Sequence, residues 1–163
     1  MRIYLASSWR NKYYESALSI LRAVGHNVYD FKHPKEGQQG FAWSDIDPNW
    51  QQWTPQQFSK GLCHSIAAWG FKNDFDAMKS ADACVLLLPC GRSAHLEGGW
   101  MKGAGKKLFI LVPEKQEPEL MYRMSDGVVD TMRDILILCD PSSTYNKAME
   151  LAVTWDRSPQ QMV

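Results

Sequence analysis

Ser7-Ser8-Trp9-Arg10 and Gly91-Arg92-Ser93-Ala94-His95-Leu96-Glu97 are the two stretches whose residue types and spacing suit chemistry. Each follows a short apolar run and leads toward a helical pattern. Free N–H groups and the helix dipole at such a junction favour an anion. A Ser-Ser-x-Arg cluster there suits a phosphate, with Arg10 offering a forked, permanently charged contact; the alternative is a serine cap beside a solvated arginine. In the second stretch Ser93 reads as the helix cap, which sets Glu97 one turn inside. A carboxylate so placed stays ionised and suits a nucleophile or a stabiliser of developing positive charge. The alternative is an acid that serves only the dipole. Asp74, in Lys72-Asn73-Asp74-Phe75-Asp76, is the third candidate. If Phe75 and Met78 face the core and the helix is suitably oriented, Asp74 falls on a rim near the sheet and completes an acid/base pair. Otherwise it is a solvated aspartate.

The elements that must hold these residues alternate. Arg2-Ile3-Tyr4-Leu5-Ala6 reads as a buried strand, and Tyr14, Ala17, Leu18, Leu21 and Val24 recur at helical spacing after a cap at Ser7-Ser8. Gly25 ends that helix, and Asn27-Val28-Tyr29-Asp30 is a second strand. Ala83 to Leu88 and Leu108 to Val112 are continuous apolar runs, as strands buried on both faces require. Ser93 opens a helix to about Gly103. A weak strand near Val128-Val129, a helix from Thr131 to Leu138 and one more around Tyr145 to Val153 finish the chain. The pattern predicts a three-layer α/β domain with a mostly parallel sheet of five strands. Ligands of such sheets bind at the carboxyl ends of the strands, where both polar stretches fall. Between Lys32 and Thr54 the periodicity fails, and Trp43, Trp50 and Trp53 crowd an irregular loop. That loop is either a lid or binding loop, or a loop packed by its own aromatics. Helical patterning resumes near Pro55 and runs, in one piece or two, to Ser80.

Composition narrows the classes. The chain has 163 residues, is 45% apolar, and carries 18 Lys+Arg against 18 Asp+Glu. That is enough for one domain and too apolar for a disordered chain. Zero formal charge argues against a nucleic-acid polymer as partner, and no apolar run approaches a membrane span. The start Met1-Arg2-Ile3-Tyr4 enters a strand at once, so the expectation is a cytoplasmic protein without a signal peptide. Cys63, Cys84, Cys90 and Cys139 have no metal-ligand spacing, and neither a metal nor a cofactor is expected. Other motifs fail on inspection. Pro89-Cys90 precedes His95 and lacks the C-x-x-C of a zinc deaminase. Asp45-Ile46-Asp47-Pro48-Asn49 lacks the Gly and Glu of an EF-hand. Gly103-Ala104-Gly105-Lys106-Lys107 lacks P-loop spacing and reads as a helix end. His95 reads as structural rather than catalytic.

Three separated blocks together resemble the nucleoside 2-deoxyribosyltransferase superfamily, in particular its nucleoside 5'-monophosphate N-glycosidase (cytidylate hydrolase-like) branch. They are Ile3-Tyr4-Leu5-Ala6-Ser7-Ser8-Trp9-Arg10, Asn73-Asp74-Phe75 with Ala81-Asp82, and Ser93 to Trp100 continuing through Gly103-Ala104-Gly105-Lys106. The resemblance implies a flavodoxin/Rossmann-like sheet and cleavage of an N-glycosidic bond. It assigns Glu97 to the anomeric carbon, Tyr4 to orienting that glutamate and Asp74 to protonating the departing base. Arg10 and Ser8 match 5'-phosphate contacts of the hydrolase branch. Gly91 stands where a second phosphate serine is expected, and Arg92 or Ser93 is the candidate to replace it. Ser7 completes the phosphate set, and Trp9 and Trp43 are candidates to stack on the base. The expectation is a catalytic domain over residues 1–140, with a helix or tail over 141–163 that packs on it or on a neighbour. The substrate is a small nucleotide or nucleoside, and the resemblance implies a homodimer or larger homo-oligomer. The alternatives are a base-exchanging transferase and a catalytically silent nucleotide sensor.

Overall fold

The computed structural model describes residues 1–140; the expected helix around Tyr145 to Val153 lies outside them. Two compact units divide the chain. One comprises residues 1–29 and the described residues from Ser80 onward; the other is Asp30–Lys79.

The first unit is built on five parallel strands in the order β2-β1-β3-β4-β5: β1 (Arg2–Ala6), β2 (Asn27–Tyr29), β3 (Ala83–Leu87), β4 (Lys107–Leu111) and β5 (Gly127–Val129). The expected α/β class and five-stranded sheet are present, with every pairing parallel. All five residues of β3 are buried, as its unbroken apolar run requires. Helix α1 (Tyr14–Ala23) joins β1 to β2, and α4 (Arg92–Gly103) joins β3 to β4. These connections step toward opposite edges of the sheet, so right-handed crossovers put the two helices on opposite faces. This gives the three layers. α5 (Met132–Cys139) packs on β4 and β5, capped by Thr131, whose hydroxyl accepts from the Asp134 N–H.

Some boundaries moved for local reasons. Ser7-Ser8 does not cap α1, which starts six residues later; Ser7 through Tyr13 form a turn-rich loop instead. Asn11 orders the end of this loop instead, its Oδ1 accepting from the Tyr13 N–H at 2.8 Å, while Tyr13, the N-cap of α1, makes no side-chain cap bond. α4 begins at Arg92 with Gly91 as its N-cap, so Ser93 is the second helical residue rather than the cap. Gly25 (φ +95°) and Gly105 (φ +79°) supply the left-handed residues that turn α1 toward β2 and α4 into β4.

Two of the resembling segments lie at the opposite end of the sheet from the polar loops. Asp82 accepts from the Arg2 N–H at 2.8 Å and pairs with the Arg2 guanidinium, joining the starts of β1 and β3. Lys106 donates to the Ala81 carbonyl. These contacts align strands and are remote from the strand ends where chemistry was expected.

The second unit is helical. The irregular segment contains single 3-10 turns at Trp43–Asp45 and Trp50–Gln52. α2 (Pro55–Leu62) and α3 (Ser65–Ser80) follow, two pieces rather than one. Thr54 and Gln57 form a reciprocal capping box that starts α2. Trp43 lies 4.8 Å from Phe41, 5.6 Å from Trp53 and 6.2 Å from Phe58 between ring centres. Of the two readings of this loop, a segment packed by its own aromatics matches these contacts.

Candidate active site

β1 and β3 are adjacent, yet their connections leave in opposite directions. Their carboxyl ends therefore flank the sheet's topological switch point, where open α/β sheets bind ligands. The β1–α1 loop brings Ser7, Ser8, Trp9 and Arg10 to this point; the β3–α4 junction brings Gly91, Arg92 and Ser93. These seven expected residues therefore belong to two loops at neighbouring strand ends.

The loops are joined by direct bonds. Ser7 Oγ donates to the Leu87 carbonyl at 2.9 Å. Asn11 Nδ2 reaches Ser7 Oγ at 3.0 Å, the Pro89 carbonyl at 3.1 Å and the Leu87 carbonyl at 3.2 Å. Ser8 Oγ accepts from the Arg10 N–H at 3.3 Å, a local turn contact that leaves its own proton for a ligand. Arg10 and Arg92 are exposed, and neither has an acidic partner among the described residues. Two guanidinium groups without an acidic partner among the described residues, on the two loops that carry the Ser8 hydroxyl and the N-terminus of α4, make this end of the unit receptive to an anion.

Glu97 is the sixth residue of α4, deeper than a Ser93 cap would have put it, so the helix dipole acts on it weakly. Ser93 Oγ donates to Glu97 Oε1 at 3.1 Å. After burial, the charge of Glu97 is the next cause that raises the neighbouring thiols: Cys90 is pushed up to about 12 and Cys84 higher still. Both remain protonated at neutral pH and are poor nucleophiles. Gly98 brings this helix close to the sheet, since a Cβ there would sit 3.3 Å from Leu108 Cδ1 and 4.0 Å from Cys84 Sγ. Cys84 is the register partner of Tyr4, so the Tyr4 side chain leaves the sheet on the face that α4 covers. Tyr4 is fully buried and stacks on Tyr29 at 5.6 Å. The glutamate and the tyrosine expected to orient it thus share one face.

His95 has the structural character expected of it. Its Nδ1 donates to the Gly91 carbonyl at 2.8 Å, and its Nε2 lies 2.9 Å from Tyr122 Oη. Both ring nitrogens are engaged, and the ring stacks on Tyr122.

Asp74 and Trp43 belong to the second unit. Asp74 is partly buried in α3, while its neighbour Asp76 pairs with Lys72 and Lys79, which hold its carboxyl at about 2. Trp43 is the hub of the aromatic group.

Sequence reasoning missed Asn11, Tyr13 and Glu114. Tyr13 Oη donates to Glu114 Oε2 at 2.7 Å, and Lys12 Nζ lies 2.9 Å from the same oxygen, linking the loop after β1 to the segment after β4. Burial first, then this carboxylate, raises the Tyr13 phenol above its usual range. Asn11, three residues before the apolar phase of α1 begins, was the available signal, because an asparagine side chain readily bonds the backbone N–H two residues on. Among the described residues no cluster of His, Cys, Asp or Glu could hold a metal, and no helix is long and apolar enough to cross a membrane.

No family model and no curated protein matches the chain. Among solved structures, a 2-deoxyribosyltransferase from the psychrotolerant bacterium Bacillus psychrosaccharolyticus is similar. It has 22% identity and a TM-score of 0.59, over 83% of this chain and 90% of that one. A CMP N-glycosidase of Clostridium botulinum, BcmB, aligns at 20% identity and a TM-score of 0.48, over 86% and 99% of the two chains. The chain thus has the fold of a 2-deoxyribosyltransferase.

Proposed function

We propose that this protein hydrolyses the N-glycosidic bond of a ribo- or deoxyribonucleoside 5'-monophosphate, releasing the free base and a sugar 5-phosphate. One observation carries the reading: Glu97, bonded by Ser93 Oγ, lies in the helix that opens at the same switch point where Arg10 and Arg92 have no acidic partner. A carboxylate serves an anomeric carbon that gains positive charge; the guanidinium groups serve a dianion. The fold shared with a 2-deoxyribosyltransferase supports glycosyl chemistry by analogy.

In the proposed reaction Glu97 attacks the anomeric carbon as the bond to the base breaks. The electron pair leaves with the base, which takes a proton from Asp74, the donor assigned by the resemblance. Water then cleaves the glycosyl ester, gives one proton back to Asp74 and frees Glu97. Tyr4 orients the glutamate. Ser8, Arg10, Arg92 and Ser93 hold the phosphate, with backbone N–H groups at Gly91. Ser7 supports these groups through its bonds to Leu87 and Asn11. Trp9, 46% exposed, and Trp43 are the candidates to stack on the base. The residues require neither metal nor cofactor for this chemistry. The protein acts in the cytoplasm as a homodimer or larger homo-oligomer, with residues 1–140 as the catalytic part.

The test follows free-base release from a panel of ribo- and deoxyribonucleoside 5'-monophosphates and the matching nucleosides, with and without an acceptor base. Release from monophosphates alone is expected, falling roughly 10²- to 10⁴-fold in Glu97→Gln. Exchange of bases on nucleosides would replace this reading with a transferase. Monophosphate binding without turnover would replace it with a nucleotide sensor.

A further inference from the structure

Asn11 has a hydrogen-bond partner at every polar group of its backbone and side chain. It is 5% exposed, although it sits in a loop between Arg10 and Lys12, both of which reach solvent. Its backbone N–H donates to the Ser8 carbonyl at 3.0 Å, and its carbonyl accepts from the Tyr14 N–H at 3.3 Å. Its Oδ1 accepts from the Tyr13 N–H, fixing the entry to α1. Its two amide protons are shared among Ser7 Oγ, the Leu87 carbonyl and the Pro89 carbonyl. Leu87 ends β3, and Pro89 lies two residues before Gly91.

We infer that Asn11 is a positioning residue: its carboxamide fixes the β1–α1 loop, with Ser8 and Arg10, against the β3–α4 loop, with Gly91 and Arg92, so that both loops address one phosphate. The inference rests on the proposed monophosphate site and adds to it the group that sets the spacing of its two halves. No other common side chain offers the same set of contacts. Serine is too short to span the loops. Aspartate keeps the acceptor toward Tyr13 but turns a second oxygen toward two carbonyls, where only its protonated form can donate. Glutamine carries its amide one carbon further out, off the positions of the three oxygens that Asn11 meets. The bonds are short-range and directional, so their loss shifts loop position as well as stability.

The experiment compares Asn11→Ala, Asn11→Asp and, as a control for stability alone, Leu136→Ala, which removes buried side chain from α5 far along the chain from both loops. All are assayed at a temperature where circular dichroism shows each to be folded. Asn11→Ala is expected to raise KM for monophosphates roughly ten-fold, with a smaller effect on kcat and on KM for the matching nucleosides. Asn11→Asp should recover part of its monophosphate affinity as pH falls and the new carboxyl gains its proton, while Leu136→Ala leaves both constants unchanged. Hydrogen exchange provides a readout free of turnover: amides of Ser8–Lys12 and of Cys90–Ser93 should exchange faster in Asn11→Ala and at wild-type rates in Leu136→Ala. If the folded Asn11→Ala protein keeps KM within two-fold of wild type, or exchange is unchanged in either loop, the inference fails. If the wild type releases no base from any monophosphate, the proposed function fails, and exchange in the two loops alone decides the role of Asn11.

Discussion

The β1–α1 loop and the segment from Asp30 to Thr54 both begin where a parallel strand ends, but different forces hold them. In the first, one buried amide satisfies several carbonyl and hydroxyl oxygens across two loops. In the second, ring packing about Trp43 does most of the work, with single polar contacts such as Trp53 Nε1 to Asp47 Oδ2 at 2.6 Å. Hydrogen bonds fix atoms to within a few tenths of an ångström, because their strength falls steeply with angle and distance. Apolar contacts fix volume and tolerate sliding. The first arrangement suits a charge that must be met at a set point; the second suits a flat partner.

The comparison breaks first at its aromatic centre. Trp43→Ala removes a half-buried ring contacting three others, and should lower stability by about 2 kcal/mol, read from chemical denaturation. An effect within 0.5 kcal/mol, on that order, would mean that polar contacts hold this segment too.

A smaller effect sharpens it. Gly61 lies under Trp53, whose Cζ3 would be 2.4 Å from an added Cβ, and Gly70 lies under Phe41, whose Cβ would be at 2.6 Å. Alanine ordinarily stabilises a helix by about 1 kcal/mol over glycine. Here overpacking reverses the sign, and Gly61→Ala should cost about 1 kcal/mol net. Gly99 of α4 has nothing within 4 Å, so Gly99→Ala should raise Tm instead. Two alanines moving Tm in the same direction would remove the distinction.

The polar side can be tested with acid. Burial alone would raise the Asp126 carboxyl, but Lys102, the Leu108 N–H and Lys107 together hold it at about 2. A depressed folded value contributes stability above the unfolded value of 3.8, and that contribution is lost as pH falls toward about 2. After allowance for screening by solvent it amounts to about 1 kcal/mol. Asp126→Asn should therefore flatten the stability profile over this window and leave its slope above pH 5, roughly, unaltered.

The fold was legible because its strands are continuous apolar runs and its helices keep phase; β3 and β4 shifted by one residue at most. The helix starts were not. Serines mark a cap only when the helix follows at once, and nothing in Ser7-Ser8 reveals that Asn11 intervenes. Glu97, Tyr4, Arg10 and Arg92 were chosen from residue type and resemblance, and the structure adds what a linear pattern lacks: a shared face for the first two and neighbouring strand ends for the others. Contacts between distant segments, such as Tyr13 with Glu114 or His95 with Tyr122, leave no periodic trace at either end. The tryptophans from Trp43 to Trp53 admitted two readings because an aromatic residue looks the same in sequence whether it meets another ring or a ligand.

The four cysteines have a practical consequence. Burial raises the thiols of Cys84, Cys90 and Cys139, the last two to about 12, while Cys63 is exposed at the end of α2. At neutral pH a maleimide dye should therefore enter the folded chain at one place, in the helical unit. Native chemistry thus supplies a single-colour reporter on Asp30–Lys79 without mutation.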